Sequence, residues 1–196
     1  NDTDVSEIAY NCLMCGRCDE KCPVGIELTP IRMITRRTGE TPKSDTSLLK
    51  RYFPDRSFPV LPKPAVSPSF NWLPESLPAK ADVIYFAGCM THLTPAIKIA
   101  MKKILNASGV NYNFIDEDGG VCCGRPLMLA GQDREARELI NYNSQTIWKS
   151  GAKILVTSCP ICYKVFRESY YLDVEVLHHT QYIRRLILDG SIKLNF

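Results

Sequence analysis

The sequence predicts an α/β fold with a parallel sheet over residues 81–196, preceded by a small helical domain over residues 1–40. Three observations predict it. Short β-favouring runs alternate with helix-like stretches through the second half of the chain. Cysteines fall just past the ends of those runs. A proline-rich tract, residues 41–80, separates this half from a cysteine-dense beginning.

Residues 28–37 read as a helix entered through Thr29-Pro30, an N-cap with proline at the first helical position. Seven prolines lie between Pro54 and Pro78, a density that blocks regular helix and central strand alike. Tyr52, Phe53, Phe58, Phe70 and Trp72 within the tract imply that it drapes over folded parts. Residues 82–87 (DVIYFA) form a first strand, leading into Gly88-Cys89. Thr94-Pro95 opens an amphipathic helix to residue 107, ended by Gly109. Residues 110–115 read as a second strand. Residues 133–149 have the charge pattern of a surface helix stopped by Gly151. Residues 153–157 (KILVT) form a third strand, followed by a helix over 163–168. A short strand over 174–177 and a last helix over 180–188 complete the pattern. Residues 191–196 read as the start of another strand. This βαβα order implies a parallel sheet with helices on both faces.

Composition narrows the function. A net charge of +3 is too small to argue for nucleic acid or a membrane surface. No apolar run approaches the ~18 residues that span a bilayer. The polar, acidic start is not a signal peptide. These observations imply a cytoplasmic protein with no transmembrane segment of its own, membrane-associated only through partners. The missing initiator Met suggests a segment of something longer. Nine cysteines form an odd count in a chain without an export signal, which argues for metal chemistry over a disulfide framework.

Cys12, Cys15, Cys18 and Cys22 have the spacing C-x2-C-x2-C-x3-C-P, closed by Pro23. Three thiolates two residues apart can wrap one corner of a cubane, and Gly16 keeps the loop tight. This is the bacterial-ferredoxin run for a [4Fe–4S] cluster. A structural zinc more often uses two separated pairs. In two-cluster ferredoxins the fourth Cys of such a run serves the other cluster. Either Cys22 closes the same cluster or a second run lies upstream, and the missing Met favours the latter.

Cys89, Cys122, Cys123, Cys159 and Cys162 form a second set. They sit past the ends of the first three strands, the edge where open parallel sheets place their ligands. Five thiolates exceed what a cubane or a zinc requires. Neighbouring side chains point apart in extended backbone, so Cys122 and Cys123 need a local turn, which Gly119-Gly120 and Gly124 can supply. A distorted cluster with an open or bridging position follows.

Gly88-Cys89, Cys122-Cys123-Gly124 and Cys159-Pro160-Ile161-Cys162 resemble the cysteine-rich CCG domain over about residues 81–190. That family occurs in the B-type and D-type components of heterodisulfide reductase and in iron–sulfur subunits of glycolate, lactate and glycerol-phosphate dehydrogenases. The N-terminal run resembles the helical ferredoxin domain that family members carry ahead of it. The resemblance implies that all five cysteines of the second set hold a noncubane [4Fe–4S] cluster that cleaves a disulfide. It also implies partners: a flavoprotein, a ferredoxin-like subunit or a membrane cytochrome. Family members usually carry two CCG repeats. One is present here, so a second half would come from a partner or from missing sequence.

Three functions are therefore expected in turn. The first is an oxidoreductase subunit passing electrons from the cubane to the noncubane cluster, with disulfide reduction there. The second is a relay subunit of a flavin-dependent 2-hydroxyacid or glycerol-phosphate dehydrogenase feeding quinone. The third is a zinc-stabilised docking module. Among secondary candidates, His178-His179 are a helix-start pair or a proton donor. Arg125 is a surface cation or an anion partner. Met14 and Met90 are packing residues, and Arg36-Arg37 and Lys102-Lys103 are solvated helix faces.

Overall fold

The computed structural model of the chain describes residues 5–38, 80–117 and 121–193. In order, the elements are α1 (Val5–Tyr10), α2 (Arg17–Lys21), α3 (Leu28–Thr38), β1 (Val83–Phe86), α4 (Cys89–His92) and α5 (Pro95–Ala107). They continue with β2 (Tyr112–Phe114), α6 (Arg125–Leu129), α7 (Asp133–Ser150), β3 (Ile154–Thr157), α8 (Pro160–Glu168), β4 (Glu175–His178) and α9 (His179–Leu188). The tract expected as a linker over residues 41–80 lies outside the described residues except for Lys80, as do Gly119, Gly120 and residues 194–196.

The four strands form one all-parallel sheet in the order β2-β1-β3-β4. Every residue of β1 is buried, as a central strand covered on both faces must be. Side chains alternate across the pleat, and the two faces feed separate cores. Ile84, Phe86 and Leu155 pack with Leu127, Leu139, Ile147, Val165 and Phe166 from α6, α7 and α8. Val83, Tyr85 and Val156 pack with Met101, Leu105, Tyr182 and Leu186 from α5 and α9. Phe86 meets Phe166 edge-on at 5.0 Å between ring centroids. This is the α/β parallel-sheet architecture that the strand and helix alternation predicts.

The order of the strands determines where loops diverge. From β1 the chain crosses to β2 on one side, then returns past β1 to add β3 and β4 on the other. The loops leaving β1 and β3 therefore part company at the centre of the sheet, opening a crevice beyond the strand ends.

Several local expectations are corrected. The helix after β3 begins at Pro160, not residue 163, because Pro160 takes the first helical position behind Cys159. Thr29 does not cap α3. That helix starts at Leu28, and the carboxylate of Asp19 accepts from the N–H groups of Leu28 (2.7 Å) and Thr29 (3.0 Å). Residues 191–193 carry no strand. Met90 is half exposed, whereas Met14 is buried as a packing residue should be. Arg36 and Arg37 are not a solvated face: Arg36 is buried, and Arg37 Nε lies 2.8 Å from Asp133 Oδ2 of α7. Among the described residues, no helix is long and apolar enough to cross a membrane.

Phe86→Ala removes a fully buried ring from the larger core and is expected to lower stability by about 3–5 kcal/mol. A fall in the urea midpoint of the full chain with unchanged m-value checks this.

Candidate metal centres

The first set of thiols lies between α1 and α3: Cys12 and Cys15 on the loop after α1, Cys18 within α2 and Cys22 at its C-cap. Cys12 and Cys18 share one cation: Arg32 Nη1 of α3 is 3.4 Å from both sulfurs. Met14 donates its N–H to Cys12 Sγ at 3.4 Å, and Ile26 donates to Cys22 Sγ at 3.2 Å. Met14 is the one non-glycine residue with positive φ among the described residues, at 54°. This left-handed turn folds the loop between Cys12 and Cys15 back on itself. Cys15 is exposed and the other three are half-buried. The N–H and guanidinium groups aimed at sulfur would offset negative charge on thiolates held here, and such contacts raise the potential of a bound cluster.

The second set converges on the crevice at the strand ends. Cys89 opens α4 directly after β1, and Cys159 is the N-cap of α8 directly after β3. Cys122 and Cys123 lie just before α6, whose N-cap, Gly124, is left-handed at φ 90°. That turn answers the problem of adjacent side chains. The N–H of Gly124 reaches Cys122 Sγ at 3.4 Å, the N–H of Arg125 reaches the Cys123 thiol, and the two sulfurs contact each other. The side chains form one connected string. Cys89 interacts with Cys122, Cys122 with Cys123, and Cys162 with both Cys123 and Cys159.

This string separates the charges. The Cys162 thiol and the N–H groups of Cys162 and Ile161 at the start of α8 bring Cys159 down to about 6, despite some burial. Cys123, hydrogen-bonded with Cys122 and Cys162, lies well below the usual thiol range. Hydrogen bonding with neighbouring sulfurs, with burial added, pushes Cys89, Cys122 and Cys162 up.

Backbone glycine makes the crevice possible. A Cβ on Gly88 would meet Cys162 Sγ at 2.8 Å and Cys159 Cβ at 2.9 Å, and its φ of 84° disfavours any side chain. Among the described residues, no three Cys, His, Asp or Glu side chains surround one point as ligands of a single ion do. An iron–sulfur cluster spreads its thiolates over several irons, and a string of sulfurs along one crevice fits that requirement.

Residues that sequence reasoning missed hold this arrangement. Asp116, whose side chain is wholly buried, accepts from the N–H groups of Ala87 (2.8 Å) and Gly88 (2.7 Å), with His92 Nε2 at 3.3 Å. It fixes the turn that presents Cys89. Asn143 of α7 donates to Cys122 O (2.9 Å) and to Tyr170 Oη (2.8 Å), and Tyr170 donates to Cys123 O (3.1 Å). These two side chains grip the backbone of the vicinal pair. No motif flagged them, since their partners are distant in sequence.

The weaker candidates also find places. His178 caps α9, its N–H bonded to Gln181 Oε1 (2.9 Å) and its Nδ1 2.8 Å from Thr180 Oγ1. Its Nε2 faces Ser158 O at 3.3 Å rather than a sulfur. Burial and the neighbouring His178 hold His179 below the ordinary imidazole range. Arg125 reaches the site through its backbone N–H. Lys102 pairs with Glu117.

Residues 83–167 match the family model CCG, a cysteine-rich domain. The D-type component of the dihydromethanophenazine:CoB–CoM heterodisulfide reductase of Methanosarcina barkeri is 29% identical over 94% of this chain and 48% of its own length. The EtfAB:quinone oxidoreductase of Syntrophomonas wolfei is 25% identical over 96% of this chain and 29% of its own. The B-type component of the fumarate reductase (CoM/CoB) of Methanothermobacter marburgensis is 25% identical over 96% of this chain and 39% of its own. The chain spans about half the length, or less, of these curated relatives. No solved structure matches it.

Gly88→Val is expected to abolish metal loading at the second set while sparing the first, read as iron and sulfide per chain. The raised thiols give a pH dependence. Protons on Cys89, Cys122 and Cys162 must leave before a metal group binds, so loading strengthens as pH rises. Iron uptake by apoprotein is expected to be weaker at about pH 6.5 than at about pH 8.5, because both lie below the raised thiols and every proton released on binding favours loading at the higher pH.

Proposed function

We propose, from the CCG cysteine-rich domain that residues 83–167 of this chain carry, that the chain is the electron-transfer and disulfide-reducing part of an iron–sulfur oxidoreductase subunit. Cys12, Cys15, Cys18 and Cys22 would hold a cubane [4Fe–4S] cluster. Cys89, Cys122, Cys123, Cys159 and Cys162 would hold a noncubane [4Fe–4S] cluster. Bound there, the clusters would supply one-electron steps and, at the second set, an open position for attack on a disulfide. In this reading residues 1–40 are a ferredoxin-like module, 41–80 a tether and 81–196 the CCG domain.

The observation that carries the proposal is the connected string of five sulfurs in one crevice. Four would complete a cubane, and the fifth adds a ligand that only a more open cluster uses. The chain's residues contribute in stated ways. Asp116 presents Cys89, Asn143 and Tyr170 orient the vicinal pair, and Gly88 keeps the crevice open for sulfur. Arg32 balances charge at the first set. Redox partners, a flavoprotein, a ferredoxin-like subunit or a membrane cytochrome, would deliver electrons, with the chain cytoplasmic or membrane-associated through them. A second CCG half would come from a partner or from the rest of a longer chain.

The likeness to an EtfAB:quinone oxidoreductase favours a second reading, in which both clusters only relay electrons from a flavoprotein towards quinone.

Metal and acid-labile sulfide analysis on protein purified without oxygen is expected to return iron and sulfide for two clusters. Low-temperature EPR with an added disulfide separates the two readings. A paramagnetic species that appears only with the disulfide supports reduction at the second set. Its absence, with the iron present, supports the relay.

A further inference from the structure

Arg36 lies near the end of α3, yet only 7% of it is exposed. All three of its guanidinium nitrogens point at backbone carbonyls. Nε donates to Ala9 O at 3.0 Å, Nη1 to Leu129 O at 2.6 Å, and Nη2 to Tyr10 O at 3.3 Å and Cys12 O at 2.5 Å. Three of these carbonyls belong to the end of α1 and the loop that begins the first thiol set. The fourth is the last residue of α6, the short helix that starts directly after Cys123-Gly124. Carbonyls at a helix C-terminus lack partners within the helix and favour a cation. A planar fork of donors suits several acceptors at once in a way that an ammonium does not.

The same junction is closed from the other side. Tyr10 Oη lies 3.1 Å from Arg36 O and 3.2 Å from Ala130 O, donating across the gap. The guanidinium carbon of Arg36 stands 5.3 Å from the centre of the Tyr10 ring. At Gly131 the two backbones nearly touch: a Cβ there would lie 2.8 Å from Arg36 O and 3.0 Å from Arg37 N. Arg37 adds its ion pair with Asp133. Along the chain, the two thiol sets are separated by the proline-rich tract. Through space, one side chain and one five-residue helix join the carbonyl of Cys12 to the turn after Cys123.

We propose that Arg36 is a positioning residue whose guanidinium clamps the Cys12 loop onto the C-terminal end of α6, and so sets the separation of the two thiol sets. Electron transfer weakens steeply with distance, so two redox groups on separate segments need such a clamp. The clamp itself requires no metal. Its functional consequence rests on the cofactor reading given above.

The test is hydrogen–deuterium exchange on the full-length apoprotein. In Arg36→Ala, peptides covering residues 8–14 and 127–132 are expected to exchange about tenfold faster or more, together, as loss of charge-assisted bonds requires. Strands β1 and β3 keep their protection. Arg36→Lys is expected to behave like Arg36→Ala, since it restores charge without the fork. Faster exchange in only one peptide, no change in either, or full rescue by lysine overturns the proposal. Should Arg36→Ala also expose the strands, Tyr10→Phe decides: coupled loosening of both peptides supports the clamp and unchanged protection overturns it.

A second readout uses the iron-loaded chain. Power-saturation EPR is expected to show weaker magnetic relaxation between the two centres in Arg36→Ala, each keeping its own line shape. Unchanged relaxation beside faster exchange overturns the positioning role. Failure of either set to take up iron in the unsubstituted chain overturns the cofactor reading, and the exchange result then stands alone.

Discussion

The pairing of β1 with β3 is the constraint on which the candidate centre depends. Because these strands run parallel and adjacent, Phe86 and Thr157 end at the same level, and the chain leaves both strands on the same edge. Cys89 and Cys159 follow at once, so residues far apart in sequence face each other across a crevice. Parallel strands demand long crossovers, and those crossovers bring Cys122 and Cys123 back to the same place, just ahead of α6. The thiol string is thus a product of sheet topology, with each member attached to an element that the core holds rigid.

Topology alone leaves the turns free, and a small group of polar side chains removes that freedom. Asp116 is a buried carboxylate whose burial is tolerable because two backbone N–H groups meet it. Asn143 and Tyr170 act alike from the opposite side, each touching a carbonyl of the vicinal pair. None of these residues needs to meet the chemistry. They hold backbone, and the backbone aims sulfur. Arg36 extends the same logic between segments, binding carbonyls from both.

The strands and main helices were legible because each is locally consistent: β-branched and aromatic runs at β1 and β3, caps at Thr94-Pro95 and Gly151, and periodic charge through α7. The candidate ligands were legible as spacing and as position past strand ends. What escaped was everything decided by distant partners. Arg36 looks like a surface residue in its own helix, since nothing local reveals the carbonyl of Leu129. Asp116 and Asn143 carry no motif. The four-residue helix α4 and the five-residue helix α6 are too short for periodicity to show, and their starts are set by Gly88 and Gly124.

Cys123, Cys159 and Cys162 are at once members of the thiol string and part of the larger core, packed with Phe86, Leu155, Val165 and Phe166. Thiols there are vulnerable in a particular way. Stepwise oxidation turns a small apolar sulfur into a sulfinic or sulfonic acid, and a permanent charge among those apolar side chains is costly to bury. Oxygen damage at this centre would therefore not leave an inactive but intact protein. It would wedge the sheet from α6 and α8, so that chemical injury and loss of the fold become one event.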